Sequence, residues 1–518
     1  MEPSLTSGLA MLLLLLLPLL CFLCLYWDAK KQTRADGLKA YPIIGTLPHF
    51  VKNQHRLIEW TAGVLARCPT YTMSFNFRGL GLTAGVMTAN PANVEYVSKT
   101  NFQNYPKGEF VVSVIGDFLG HGIFNSDGDH WLWQRKAASY EFSKRSLRNF
   151  VVSTVRFELV ERLLPLLSRA ERDGRTLDVQ DVLERFTFDN VCCVVFDEDP
   201  ACLTEEGLGA NGRAEFMLAL TEAQNIVMAR FMAPVKWAWR VKKLLNMEPE
   251  RRMRQALATI HGYVDRIVRE RSERGAAGLA RKDDFLSRFA SSGEHSDESL
   301  RDVVTNFIVA GRDTTSSALS WFFWMLSSRP DVEDKILQEI HALRRASSST
   351  GAGDDAAAFG YEELHGMQYL HAAITESMRL YPPVAMNTHC SMRDDVLPDG
   401  TFVGRGWQVT YNAYAMARLE EIWGGDCSEF RPERWLDEEG VFRPASPFKY
   451  AVFHAGPRMC VGKEMAYIQM KSIIATVLER FSFRFVGCDT RPGLVFSLTL
   501  RMEGGLPMQV KKRGALNG

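Results

Sequence analysis

A mainly helical body with a few small β-sheets, an α+β fold, is the class this sequence predicts, and three observations predict it. From about Gly128 to Leu343 apolar residues recur at three- and four-residue spacing, the period of amphipathic helices. Short β candidates occur only near the two ends of the body. No internal repeat and no linker-like break divides the chain. At about 150 residues per domain, 518 residues would suggest roughly three domains. Helical continuity overrules that arithmetic and predicts two parts, an anchor and basic stop segment over residues 1–40 and one domain over residues 41–518.

Taking the elements in order, Gly8 to Trp27 reads GLAMLLLLLLPLLCFLCLYW, twenty residues without a charge. As a helix this would cover about 30 Å, the hydrocarbon thickness of a bilayer. Tyr26 and Trp27 close it as an interfacial pair, and Lys30, Lys31 and Arg34 follow, whereas Glu2 is the only charged side chain before it. The positive-inside rule then leaves the body in the cytosol. A cleaved signal peptide would carry a basic start and a shorter apolar run. Pro42, Gly45 and Pro48 punctuate the hinge to the body. YTMSFNF and GLTAGVMTA, separated by Arg78, Gly79 and Leu80, read as a hairpin. Two interruptions of the helical pattern, Arg274–Ala280 and Ala346–Gly360, read as exposed loops between strong helices. Strand candidates return at Gly406–Tyr411 and near Leu494–Leu500.

Composition narrows the function. Lys plus Arg is 61 and Asp plus Glu is 61, so the basic excess of a nucleic-acid binder is missing. Ten cysteines contain no C-x-x-C pair beyond Cys21 and Cys24 in the apolar run, which points to a reduced setting. No G-x-x-x-x-G-K-[ST] loop and no strand-linked G-x-G-x-x-G is present, which argues against a nucleotide cofactor on this chain.

The most informative segment is Phe453–Gly462, FHAGPRMCVG. Cys460 stands just before an apolar helical run, Lys463–Phe481, where free N–H groups and the helix dipole favour a thiolate. Gly456 and Gly462 let a bulky planar ligand approach the backbone. Arg458 supplies charge for an anion. A lone cysteine is most often an inert core residue, but the five residues Phe453, Gly456, Arg458, Cys460 and Gly462 at these offsets argue against that.

F-x-x-G-x-R-x-C-x-G resembles the haem-binding loop of the cytochrome P450 family at every fixed position. The resemblance implies a haem whose iron takes Cys460 as axial thiolate, the ligand type that pushes electron density toward O–O cleavage. Phe453 would shield the sulfur and Arg458 would pair with a haem propionate.

Ala310-Gly311-Arg312-Asp313-Thr314-Thr315 lies inside a helical pattern from about Ser299 to Ser328. Gly311 and Thr314 weaken the helical ladder, so a local bulge is expected. D-T-T is also a good helix start, but apolar runs flank it on both sides. The segment resembles the family's oxygen-activation motif, with Asp313 the acid and Thr314 the hydroxyl of a proton relay.

Glu376 and Arg379 share a helix face, by themselves an ordinary pair worth about 0.2–0.5 kcal/mol. Followed by Leu380-Tyr381-Pro382-Pro383, they resemble the family's structural E-x-x-R signature, with Arg434 of FRPERW as third member. Trp131 and Arg135 share a face at i,i+4, and W-x-x-x-R resembles the family's propionate donors. His389 matches a position where the family often places another.

With no reductase domain in the chain, the resemblance implies electrons from a separate NADPH-cytochrome P450 reductase. Lys136, Lys144, Arg145, Lys449 and Lys463 are candidates for its docking face, or equally a scatter of solvated charges. Gly122-Ile-Phe-Asn-Ser-Asp-Gly-Asp129, ASYEF, Tyr414–Arg418, Ile422–Cys427 and FRPERWL resemble plant fatty-acid ω-hydroxylases and their jasmonoyl-amino-acid branch. Ala385-Met386-Asn387-Thr388-His389-Cys390 departs from that group. Candidate pocket segments Phe110–Ile115, Phe307–Ala310, Val384–Met386 and Ser497–Leu500 are apolar and suit a lipophilic substrate. Within them Val112, Phe307, Ala310, Val384, Ala385 and Leu498 are the expected lining.

The resulting expectation is a monomeric haem-thiolate monooxygenase, single-pass in the endoplasmic reticulum membrane through residues 8–27, with a cytosolic catalytic domain. It would hydroxylate the terminal carbon of fatty acids or jasmonoyl-amino acids. A lipid hydroperoxide isomerase or dehydratase would need neither reductase nor Asp313 and Thr314. A haem carrier or sensor would have no use for the acid–alcohol pair.

Overall fold

The computed structural model describes residues 38–41, 45–75, 84–141, 149–204, 213–233, 237–276, 296–348, 358–487 and 491–514. The expected membrane segment Gly8–Trp27 lies outside them. Among the described residues no helix is long and apolar enough to cross a membrane.

Helices dominate, as the periodicity predicts. Those that build the site are α1 (Gly108–Leu119), α2 (Gly128–Glu141), α3 (Val179–Phe196), α4 (Arg213–Met232), α5 (Glu250–Ala276), α6 (Asp297–Leu326), α7 (Gln368–Leu380) and α8 (Lys463–Leu478). At 30 residues α6 is about 45 Å long. Its start is defined chemically: Ser296 Oγ accepts from the Ser299 N–H at 3.2 Å, and Asp297 and Glu298 complement the helix dipole. Most of its residues from Leu300 onward are buried, because α3 lies along one side and α5 and α7 contact others. A Cβ on Gly311 would stand 2.8 Å from Val191 Cγ2 of α3, so glycine lets the two helices approach. That contact is the reason for Gly311. The expected bulge is not formed, for α6 runs through residues 310–315 as unbroken α-helix.

The main sheet contains β1 (Thr72–Phe75), β2 (Gly85–Thr88), β3 (Met386–Cys390) and β4 (Gln408–Asn412) in the spatial order β1-β2-β4-β3. The expected hairpin is present, with Thr72 opposite Thr88 and Phe75 opposite Gly85. Its turn lies outside the described residues. β2 runs parallel to β4, whereas β3 is antiparallel to it, with Asn387 opposite Tyr411 and Thr388 opposite Thr410. The late strand candidate resolves into a small hairpin, Leu494–Phe496 with Leu500–Met502.

Two expected loop boundaries move. Helix α5 continues through Arg274–Ala276, and the helix Pro330–Ser348 continues past Ala346. Arg274, Ala276 and Ala346 are good helix formers, and the continuing helix carries Gly275, Ser347 and Ser348 along with them.

Candidate active site

The segment Ala451–Gly462 approaches α8 through two short 3-10 turns, Ala451–Phe453 and Gly456–Arg458. Gly456 has φ +65°, and a Cβ there would lie 2.0 Å from the Ser98 carbonyl oxygen. The glycine therefore lets this loop meet the backbone at Ser98. The Cys460 N–H donates to the Phe453 carbonyl at 2.8 Å, which closes the loop around the thiol. Phe453 packs its ring 5.4 Å from Tyr467 of α8.

Cys460 opens onto a cavity yet is surrounded by protein, and this desolvation raises its thiol above the ordinary range. The Gly462 N–H, Arg135 and Lys463 act in the opposite sense without overcoming it. A cation bound at the sulfur would supply the missing stabilisation.

The cavity is bounded by Cys460, Val461 and Phe453 of this loop and by Phe307, Ala310, Gly311 and Thr314 of α6. Trp131, Arg135 and Arg458 form one edge. Both guanidiniums lie near the Trp131 ring, Arg458 at 4.4 Å and Arg135 at 6.0 Å. Arg458 donates to Ser126 O at 3.1 Å and pairs with Asp127, while its buried Nε has no partner. Arg135 donates to the Met459 carbonyl. Apolar walls, one thiol and a cationic rim with an unsatisfied donor are the chemistry that a flat, apolar iron macrocycle with carboxylate tails requires. These residues fit a haem.

A second cavity adjoins it and shares Lys107, Phe124, Asn387 and His454. It is lined by Val111, Ile115 and Leu119 of α1, Met228 and Phe231 of α4, and Val384, Ala385 and Leu498. Val384, Ala385 and Leu498 are where the sequence placed them, and Phe307 and Ala310 line the first cavity. Val112 is absent from both linings, because on α1 its neighbour Val111 takes that face. Helix phase over three residues was beyond sequence reading.

Two other expected site residues do not reach the cavities. Asp313 accepts from Gln224 Nε2 of α4 at 2.8 Å and from Arg312 at 3.0 Å, on the face of α6 turned toward α3 and α4. His389 is 2% exposed; its Nδ1 donates to the Tyr105 carbonyl at 2.9 Å, which leaves Nε2 an acceptor, and burial keeps the ring neutral. A neutral imidazole in that tautomer has no proton for a propionate.

Sequence reading missed a polar network between the cavities. Lys107 Nζ donates to Asn387 Oδ1 at 3.2 Å, Asn387 Nδ2 donates to Tyr411 Oη at 2.8 Å, and Tyr411 Oη lies 2.9 Å from His454 Nδ1. Burial and the nearby Arg458 lower Lys107 to about 8, and burial with Lys107 and Arg458 lowers His454 to about 3. His454 takes φ +59°, uncommon for a non-glycine residue. The signal was an ionisable side chain within the FHAGPRMC string. Of the expected docking cations, Lys136 is exposed, Lys449 lies 4.4 Å over the Trp423 ring and Lys463 5.9 Å over Phe453. Lys144 and Arg145 lie outside the described residues.

Beneath the loop, Glu376 receives two bonds from Arg379, at 2.7 and 2.8 Å, one from Arg434 at 3.2 Å and one from the Trp435 indole at 2.9 Å. Arg379 also donates to the carbonyls of Ala417, Cys427 and Glu429. Every group in this buried network is satisfied by a partner of opposite polarity, which is what makes a buried pair tolerable.

The profile of the cytochrome P450 family matches residues 37–498. The chain belongs to the cytochrome P450 family. It is a P450 monooxygenase, and the family's cofactor is a haem held through a thiolate. Among curated relatives, cytochrome P450 CYP94D108 of Paris polyphylla is 46% identical over 474 residues, 92% of each chain. Cytochrome P450 94B1 of Arabidopsis thaliana is 42% identical and covers 97% of each chain. Cytochrome P450 94A2 of Vicia sativa is 44% identical over 94% of this P450 and 93% of that relative.

Proposed function

We propose that this P450 hydroxylates the terminal carbon of lipid chains that carry a carboxyl function at the far end, fatty acids or jasmonoyl-amino acids. The adjoining cavities carry the reading. A mostly apolar chamber adjoins the thiol-bearing cavity, with Lys107, Phe124, Asn387 and His454 common to both linings, a layout that suits a chain entering end-first. Resemblance to the plant ω-hydroxylases and the related P450s above supports the same choice.

Cys460 is the proposed iron ligand, shielded by Phe453, with Arg458, Arg135 and Trp131 holding the propionates. When bound, the haem supplies two-electron activation of dioxygen. Thr314 rests its hydroxyl on the Ala310 carbonyl at 2.7 Å, and a χ1 rotation frees that proton for the cavity. Asp313, tied to Arg312 and Gln224, acts as a positioning residue for α6. Apolar side chains from α1, α4 and α6 exclude water and orient the chain. Glu376, Arg379 and Arg434 brace the thiolate loop. Electrons come from NADPH through a separate cytochrome P450 reductase: RH + O₂ + NADPH + H⁺ → ROH + H₂O + NADP⁺. We place the protein as a monomer in the endoplasmic reticulum membrane, anchored by residues 8–27, with the domain of residues 41–518 in the cytosol.

The test is mass spectrometry of products from the expressed protein, a plant reductase and a panel of fatty acids plus jasmonoyl-isoleucine. The expected product is the ω-alcohol, formed only with NADPH. Exclusive in-chain hydroxylation overturns the regiochemistry. Conversion of lipid hydroperoxides without NADPH overturns the monooxygenase role in favour of an isomerase or dehydratase.

A further inference from the structure

One face of the main sheet forms part of the long chamber. Side chains alternate along a strand, and the registers Thr388 opposite Thr410 and Met87 beside Thr410 place Met87, Thr388, Gln408 and Thr410 on the same face. All four line the chamber. Three of them are polar, in a mostly apolar lining that also includes Gln54, Lys107, Asn387, His454 and Thr499. Gln408 is 9% exposed, and its Nε2 is buried with no hydrogen-bond partner. Thr499, 3% exposed, lines the same chamber and its Oγ1 also has none. Thr388 and Thr410 hydroxyls are 2.9 Å apart. One must donate to the other, so the second keeps a proton to give elsewhere.

Leaving a buried donor unsatisfied costs about 1–3 kcal/mol. A set of donors without acceptors, gathered in an apolar chamber, is the complement of an acceptor-rich head group. Position agrees. Asn387 in the wall shared by the cavities pairs with Tyr411, and Gln408 lies three residues back along β4, roughly 10 Å from Tyr411 along the strand. Neither Gln408 nor Thr499 lines the thiol-bearing cavity.

We infer that Gln408, with Thr388, Thr410 and Thr499, is the specificity-determining head-group site: it binds the carboxyl function of the substrate, free or amide-linked, and so presents the opposite end of the chain to Thr314 and Cys460. This rests on the ω-hydroxylase reading and adds the residues that set its regiochemistry. The groups are uncharged donors, so the site accepts an amide carbonyl as well as a carboxylate.

The test is spectral titration of the haem-loaded protein with dodecanoic acid, N-dodecanoyl-isoleucine and dodecane, for wild type, Gln408→Leu and Thr410→Val. In Gln408→Leu the Kd of the acid or the conjugate should rise roughly tenfold, the loss of about one hydrogen bond to an acceptor. The Kd of dodecane should stay the same or fall, and ω-hydroxylation should spread to in-chain positions. Whichever of the two polar ligands loses more affinity is the head group the site prefers. Thr410→Val, nearly isosteric, carries the same comparison if Gln408→Leu fails to fold. Parallel changes for acid, conjugate and alkane, or no change in any, overturn the head-group site. A wild type that forms no ω-product overturns the underlying function instead, so the two failures are distinct.

Discussion

Asp313 and Thr314 adjoin in the chain, yet their side chains meet different partners around one helix. Asp313 is held by Gln224 and Arg312 against α3 and α4, and Arg312 in turn reaches Glu184 at 2.8 Å. Thr314 lines the cavity with Cys460 and bonds only its own turn, at Ala310. Two residues expected to act as one relay therefore divide into an anchor and a cavity hydroxyl.

Substitution should separate them. Asp313→Asn removes a charge from the buried Arg312 and should destabilise the fold by about 3 kcal/mol, read as a lowered thermal midpoint. Thr314→Ala should change stability by less than about 1 kcal/mol and keep the haem spectrum, while NADPH consumption rises relative to alcohol formed. Full coupling in Thr314→Ala removes the proton-handling role assigned to it.

Cys460→Ser should leave helix content intact by circular dichroism. The reduced, carbon monoxide-treated variant should lack the band near about 450 nm expected of thiolate ligation. Survival of that band places the iron ligand elsewhere.

Glu376→Gln should be among the most damaging substitutions outside the cavities. It leaves Arg379, 1% exposed, without its anionic partner, a loss of about 3–5 kcal/mol. Arg434→Lys should cost less, because Arg434 is more exposed and Asp426 also pairs with its site at 2.8 Å. Urea unfolding of both variants checks the order.

Acid should weaken the fold through His371. This ring stacks on Tyr467 at 4.1 Å, and burial beside Lys471 and Lys463 lowers it to about 2. Between pH 2 and about 6.5 the unfolded chain binds this proton and the folded chain does not, so stability is complete above that window and falls as pH drops. The slope is at most about 1.4 kcal/mol per pH unit. His371→Phe should flatten stability against pH between 4.5 and 6.5, and an unchanged slope removes His371 as a contributor.

Local pattern was enough for the helical body, the hairpin, the Cys460 loop and the E-x-x-R pair, because each depends on residues close in sequence: a 3.6-residue period, a turn, fixed offsets around one thiol, and two charges on one helix face. Which face a residue presents once helices cross depends on partners hundreds of residues away. Packing of α6 on α3 and α4 holds Asp313 at Arg312 and Gln224, the phase of α1 puts Val111 in the chamber in place of Val112, and the main sheet binds His389 to Tyr105. Assembly of the main sheet against α1 and the Cys460 loop brought Lys107, Asn387, Tyr411 and His454 into one network and set Gln408 in the chamber with its Nε2 unpartnered. Spacing along the chain carries chemistry; orientation across it belongs to the assembled core, where close packing allows each side chain only the direction its neighbours leave open.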